Sequence, residues 1–491
     1  MKKIISLLLV IVLSFLMVSA SSCNNPNNNN TPINEPADKL PSDDAISNND
    51  ADSAADRRNI PDDLPDMDFN GEEFRISFGS EDAISCIYVE SEIGEVINDA
   101  VYAANRTVEE RFNVNITPVV GSLNSVLTSI KAGDATIDLI NGHNIELGSH
   151  SLTGAFMNLY NIPHLNFEKP WWPKNTVEAM TFPPNKMYII SNHIAYWSTA
   201  LIRVMFMNKN KLADLGHPLP YDDVFNGTWT LDKFISITKD SYMDLNGNGV
   251  RDDDDFYGFV NSDGSFYCYL ESWGVYTVMK DSEEILKLNM NTEKVITVLE
   301  KLYDLLFKSA GGYQTKNDYG IPVKMFEEGR VLFLFRELMN VIWNFKDINF
   351  DYGILPMPKL NEKDEYRSGY TEYPCVVPIN ISNPEKVGII IEAMSAEGYK
   401  KVAPAFYEIA LKVKYTHDDE SVKILDIITE SAVEDFWYLY GGGPGENMYW
   451  VLSDLLKNSN PSTDYASYYE KMAGKQQKRI EKIIDALNNM D

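Results

Sequence analysis

Beyond residue 64 the chain alternates between two hydrophobic periods. In Phe69-Asn70-Gly71-Glu72-Glu73-Phe74-Arg75-Ile76-Ser77-Phe78 the apolar residues recur at every second position behind an Asn-Gly turn, which predicts a strand. The next apolar set is Val96, Ile97, Ala100, Val101, Ala104, Val108 and Phe112. It follows the helical period, with Arg106, Glu109, Glu110 and Arg111 off the stripe, and predicts a helix. Asn113–Val119 returns to a strand pattern, Leu123–Ala132 to a helix stopped at Gly133, and Ile137–Asn141 to a strand. The order β-α-β-α-β predicts an open α/β sheet, whose ligands bind beyond the carboxyl ends of its strands. His143, Asn144 and Glu146 lie in the loop after the third strand and are candidates on that rule.

The middle of the chain repeats the mixture. Tyr188–Ile190 and Leu201–Met207 read as strands, and Leu231–Thr238 reads as a helix behind the cap Thr230. Amphipathic helices are predicted over Thr292–Lys308, Lys386–Ala396 and Tyr468–Leu487. Single cores stop growing at roughly 250–300 residues, so 491 residues predict two lobes. No Pro/Ser-rich linker divides the body, which predicts lobes joined by short crossings.

The first 63 residues have a different character. Lys2 and Lys3 precede the apolar run Ile4–Val18, and small residues follow up to Cys23, the order of a signal peptide over 1–22. The run is too short to span a membrane, which takes about 20 apolar residues. The residues before Cys23 resemble a bacterial lipobox, with Ala20 where that motif usually has Leu, so Cys23 is the expected lipidation site. Residues 23–63, rich in Asn, Asp, Ser and Pro, cannot bury enough surface to order themselves and are expected to tether the body outside the membrane. With Cys23 acylated, Cys86, Cys268 and Cys375 remain; one disulfide is open to them and none is indicated.

Charge narrows the partners. Forty-three Lys and Arg against 72 Asp and Glu leave a net charge of −29, which argues against nucleic acid. Aromatics make up 12% of the chain, enough for a surface that stacks on a flat apolar ligand as well as for an aromatic-rich core.

The most specific local chemistry is the loop Asp244–Asp255. Oxygen side chains stand at its first, third, fifth, ninth and twelfth positions (Asp244, Asn246, Asn248, Asp252 and Asp255), Gly249 stands at the sixth, and Val250 offers its carbonyl. That spacing suits Ca2+, a hard cation that takes six to eight oxygens, in a structural role. An acidic surface turn is the alternative. No CxxC, HExxH or Cys/His cluster accompanies it, so zinc is not expected.

Several stretches resemble the carbohydrate-binding (family 1) extracellular solute-binding proteins of bacterial ABC transporters, related to maltodextrin-binding proteins and including a clostridial-type branch of lipoproteins. These are Gly154–Leu159, Asn161-Ile162-Pro163, Lys169-Pro170-Trp171-Trp172, Met205–Lys209, Gly227–Asp232, Met325–Arg330, Asp351–Lys359 and the stretch from Lys414 to Ser421. The resemblance implies an α/β, type II periplasmic-binding-protein-like fold, two lobes joined by a hinge with the ligand cleft between them. Lobe 1 is expected over about 64–200 plus 353–415, and lobe 2 over about 201–352 plus 416–491. It further implies a monomer that is no enzyme, captures a sugar outside the cell and hands it to a membrane permease.

Carried over by position, the resemblance implies ligand contacts at Asn141, His143, Glu146, Tyr196, Trp197, Ser198, Ser265, Phe266, Tyr267 and Trp273. Later candidates are Arg336, Glu337, Tyr370, Glu372, Tyr373 and Trp450, with Trp437 and Tyr440 before the Gly-rich loop 441–445. Trp171, Trp172 and Trp229 read as packing residues. Trp343 reads equally as core or cleft, His143 as surface or contact, and Arg336 with Glu337 as ligand contacts or only an ion pair. The rival reading is an exported carbohydrate-active enzyme with paired carboxylates, or a surface receptor that senses without transport. No GxSxG or P-loop accompanies the acids.

Overall fold

A computed structural model describes residues 57–490 apart from 264, 317, 371–372, 413–418 and 458. The signal-peptide, Cys23 and Glu372 expectations lie outside the described residues, as does most of the tether. Residues 57–63, expected within the tether, are seated on the body: Arg111 pairs with Asp62 at 2.5 Å, and Lys169 with Asp63 at 2.6 Å.

The β-α-β-α-β start is present. Strand Glu72–Phe78 runs parallel to Val114–Val120 on one side and to Leu139–Asn141 on the other, and Cys375–Val376 adds antiparallel beyond Leu139–Asn141. The helices between them are Val96–Phe112 and Leu123–Ala132, the second capped by the Ser122 side chain and ended by Gly133. Their apolar stripes cover the sheet, with Val108, Phe112, Val126 and Ile130 in the same core as Phe74, Ile76 and Leu139.

A second sheet runs in the order Tyr352–Leu355, Arg203–Asn208, Val331–Glu337, Phe256–Ser262, Tyr242–Met243, with Gly312–Thr315 also on Phe256–Ser262. Its central strand, Val-Leu-Phe-Leu-Phe-Arg-Glu, is buried at every residue, as a strand covered on both faces should be. Around it packs a core that includes Phe206, Trp229, Phe259 and Phe333.

The chain passes between the two cores near 195–200, 370–375 and 432–436. At these crossings Ser368–Gly369 pairs with Ala432–Val433, and Ile202 bridges to Tyr370. The expected lobe limits shift accordingly. Tyr352–Leu355 belongs to the second sheet rather than the first lobe, because it pairs with Arg203–Asn208. The last helix, Tyr465–Asn488, serves both cores, Tyr465 and Met472 in one and Ile480, Ile483 and Leu487 in the other.

Two smaller expectations also changed. Tyr188–Ile190 forms no strand beyond a single bridge from Ile190 to Cys375. The helix predicted over Thr292–Lys308 is α-helical through Tyr303 and then widens to a π-turn over Asp304–Lys308. Trp171 and Trp172 are buried and donate their indole N–H groups to the two oxygens of Glu392, at 2.8 and 2.9 Å, so the adjacent tryptophans clamp one buried carboxylate. No disulfide joins Cys86, Cys268 and Cys375. Among the described residues no helix is long and apolar enough to cross a membrane.

Candidate functional site

The carboxyl end of Val331–Glu337 delivers the site's central charge. Register places Glu337 opposite Arg203 on the neighbouring strand, a cross-strand pair of opposite sign. Arg203 Nη2 stands 2.6 Å from Glu337 Oε1, and the guanidinium lies 4.1 Å from the centre of the Tyr267 ring. The Tyr319 hydroxyl donates to Glu337 Oε1, and Tyr267 donates to the Tyr319 hydroxyl at 2.9 Å. Asn340 Nδ2 donates to the Glu337 carbonyl at 2.9 Å. Burial alone would raise the Glu337 pKa, but the charges of Arg203 and Arg336 outweigh it and hold the carboxyl below its ordinary value.

Above this pair opens a cavity of about 390 Å3. One wall is Trp197 and Leu201 from the first crossing, joined by Tyr373 from the second; Trp197 and Tyr373 meet edge to face with ring centres 4.6 Å apart. The opposite wall is Tyr319, Val323 and Glu327 of the Gly320–Glu327 helix and its approach. The floor carries Glu337, Met339 and Asn340, and the rim Trp343 and Asn344. Trp343 is 64% exposed and Tyr373 37%, high values for large rings on this protein. Flat ring faces beside carboxylates and side-chain amides are what a sugar needs, since its apolar face stacks and its hydroxyls seek fixed acceptors and donors.

Of the residues expected at the site, the cavity gathers Trp197, Glu337 and Tyr373. Tyr267 and Trp450 stand behind it: Tyr267 covers Arg203, and the Trp450 ring lies 6.4 Å from Tyr267 while its indole donates to the Gly442 carbonyl. Asn141 is buried and donates to the Tyr373 carbonyl at 2.5 Å, and His143 meets the Tyr373 ring edge to face, so both support Tyr373. Glu146 is exposed on the Asn144–Ser151 helix.

The remaining candidates are placed in the interior. Trp273 is buried and donates to the Pro358 carbonyl, and Trp437 is buried and donates to Gln476. Tyr440 stacks on Phe436 in the first core, Tyr370 bonds to Thr176, and Arg336 is fully buried over the Tyr319 ring. The rings of Trp273, Trp437 and Tyr440 fill core volume away from this cavity, because each sits on a segment whose apolar side turns inward. Tyr319, Glu327, Asn340 and Asn344 were not singled out from sequence. Tyr319 follows the carboxyl end of Gly312–Thr315, and the rule that pointed to His143 would have found it.

Ser198, Thr199, Ile202, Tyr370 and Ala432 from the same crossings turn the other way, into a second cavity of about 390 Å3 behind them. Nearby lies another set of buried acids. The Tyr449 hydroxyl accepts from the Cys268 backbone N–H and donates to Glu271 Oε1 at 2.8 Å, while Asp435 accepts from the N–H groups of Trp437 and Tyr438. Burial pushes the Glu271 and Asp435 carboxyls up, and the charge of Asp435 adds to the effect on Glu271. Glu434 is pushed up to about 8 by burial and by the charges of Asp435 and Glu271.

The calcium-type loop is compact. Asp244 accepts the N–H groups of Gly247 and Gly249 at 2.7 and 2.9 Å, and Gly249 takes φ +70, a turn that suits glycine. Asn246 and Asn248 converge on Asp252, with amide nitrogens 3.3 and 2.7 Å from its oxygens. Asp255 is fully buried and accepts from Leu245 N–H and the Tyr242 hydroxyl. Among the described residues no cluster of three or more His, Cys, Asp or Glu side chains is arranged to hold a metal; the oxygens of this loop come in part from amides and a carbonyl.

Comparison with solved structures decides the architecture. UspC of M. tuberculosis matches with a TM-score of 0.54 at 12% identity, over 82% of this chain and 99% of its own. The GacH receptor of Streptomyces glaucescens GLA.O, solved unliganded and with acarbose, matches with a TM-score of 0.50 at 14% identity, over 86% of this chain and 100% of its own. The chain has the two-lobed periplasmic-binding-protein-like fold. No protein-family profile matches the sequence, and no curated protein matches it either. In a periplasmic-binding-protein-like fold the cavity under Trp343 falls at the crossings, where the two cores meet.

Proposed function

We propose that this protein is a receptor that captures a carbohydrate outside the cell and delivers it to an ABC transporter permease. The observation that carries the reading is the cavity at the crossings, where Trp197, Tyr319, Trp343 and Tyr373 surround the carboxylates and amides of Glu327, Glu337, Asn340 and Asn344. Capture changes no bond in the sugar. Closure around it is a population shift driven by contacts made only in the closed state. Lipidation at Cys23 would keep the receptor beside its permease.

One observation favours an enzyme as the second reading. The two cavity carboxylates are pushed apart, Glu337 downward by its arginines and Glu327 upward by burial, which is the arrangement of an acid and a base. Glu337 is nonetheless committed to Arg203 and Tyr319, so capture remains preferred. A thermal-shift screen of the chain without its first 23 residues against mono- and oligosaccharides, with analysis of the recovered sugar, separates them. Intact sugar with a saturable shift, worth about 2.7 kcal/mol at a hundredfold excess over Kd, supports capture. Cleaved sugar supports the enzyme.

The Asp244–Asp255 loop is proposed to hold a structural Ca2+. Asp244, Asn246, Asn248, Asp252, Asp255 and the Val250 carbonyl supply oxygens of the kind calcium takes. Asp255, buried at the end of the loop, is tied to it by the Leu245 N–H and the Tyr242 hydroxyl. Stripping calcium with a chelator should lower the melting temperature; an unchanged melt removes the proposal.

A further inference from the structure

The cavity carries a charge imbalance that a neutral sugar would leave in place. Glu337 is answered by Arg203 at 2.6 Å and by the Tyr319 hydroxyl. Glu327, at the end of the Gly320–Glu327 helix, has no such answer. Burial raises its pKa, a hydrogen bond with Asn344 opposes the rise, and the charge of Glu328 adds to it. The basic side chains nearest in sequence, Lys324 and Arg330, pair with Glu328 instead. Among the described residues no Lys, Arg or His lines the cavity. The net charge of −29 adds a field that draws cations toward the whole molecule.

A ligand settling on Trp343 and Tyr319 strips water from the Glu327 carboxylate. Hydroxyl groups recover part of what is lost, whereas an ammonium restores neutrality and forms a charge-assisted hydrogen bond. An acidic sugar would meet like charge and pair with nothing. A simple polyamine would satisfy the carboxylate but leave the exposed rings and the amides of Asn340 and Asn344 without use.

We propose that the ligand of this cavity is an amine-bearing sugar, a hexosamine unit with a free ammonium, and that Glu327 receives the ammonium and selects against neutral and acidic sugars. This rests on the sugar-capture reading above and goes further by naming the ligand's charge.

The test is calorimetry on the chain without its first 23 residues at pH 6, using the β-1,4 dimers of glucosamine, N-acetylglucosamine and glucose, with putrescine as the diamine. The glucosamine dimer should bind at least tenfold more tightly than either other dimer. Glu327→Gln should bring that ratio close to one, and raising the pH until the amine is neutral should do the same to the unmodified protein. Equal or weaker binding of the glucosamine dimer, or a ratio unmoved by Glu327→Gln, overturns the inference and leaves the sugar reading standing. Putrescine binding with no dimer bound overturns both. Silence from all four overturns the inference, and the sugar reading as well if the wider glycan screen is also silent.

Discussion

Two groups of buried carboxylates lie within reach of the same crossings, and they titrate in opposite directions. Glu337 faces Arg203 across two paired strands and stays ionised although it is buried. Glu271, Glu434 and Asp435 are buried as deeply, but their hydrogen bonds come from neutral donors, and no ion pair reaches them among the described residues. Their carboxyls are pushed up toward the neutral form. Burial is common to both groups, so a facing cation decides the outcome. The group held down by its cations floors the candidate ligand cavity, and the group pushed up sits within the packing of the crossings.

Removing the cation should break this contrast most severely. Arg203→Met leaves Glu337 buried without its ion-pair partner, and loss of one member of a buried pair costs about 3–5 kcal/mol. The urea midpoint should fall accordingly, and Arg203→Met with Glu337→Gln should recover part of the loss. A fall of less than about 1 kcal/mol would mean that the Tyr319 hydroxyl and solvent suffice for Glu337.

Titration should sharpen the contrast next. Glu434, held up to about 8, binds its proton more tightly folded than unfolded. Its favourable contribution is complete below the unfolded value near 4.5 and is lost as pH rises through about 8. Glu337 has the opposite sign, with a contribution present above the ordinary glutamate range and lost as pH falls through its lowered value. The melting temperature should therefore be higher at pH 5 than at pH 8, by an amount equivalent to a few kcal/mol, on the order of 1.4 per pKa unit. Glu434→Gln should flatten that slope, and a slope unchanged in the variant would remove Glu434 from the account.

The smallest effect belongs to the cavity rim. Trp343 is exposed and buries little of itself in the fold, so Trp343→Ala should change stability by no more than about 0.5 kcal/mol. Loss of its ring face should weaken sugar binding about tenfold, near the upper end of what one aromatic contact supplies. A large stability loss with unchanged affinity would reverse the assignment.

How far the sequence could be read depended on how local each signal was. The helices Val96–Phe112 and Leu123–Ala132 and the three strands around them were legible, because turn residues, caps and the two hydrophobic periods act within a few residues. Tyr188–Ile190 carried a strand's composition without a strand's partner. At the candidate site the sequence pointed to Trp197, Glu337 and Tyr373, all of which line the cavity. It also named Trp273, Trp437 and Tyr440, although these rings are buried elsewhere. An aromatic residue's type is the same in core and cleft, and only its neighbours differ.

The sequence by itself determined an α/β body, its early strand and helix order, an acidic charge and a turn of calcium-type spacing. Only the tertiary structure decided which glutamates keep their charge, which tryptophans are exposed, and that Arg203 lies opposite Glu337. The physical reason is one of range. Periodicity and turn chemistry act between residues adjacent in the chain, whereas desolvation and charge pairing are set by residues such as 203 and 337 that meet only when the strands align.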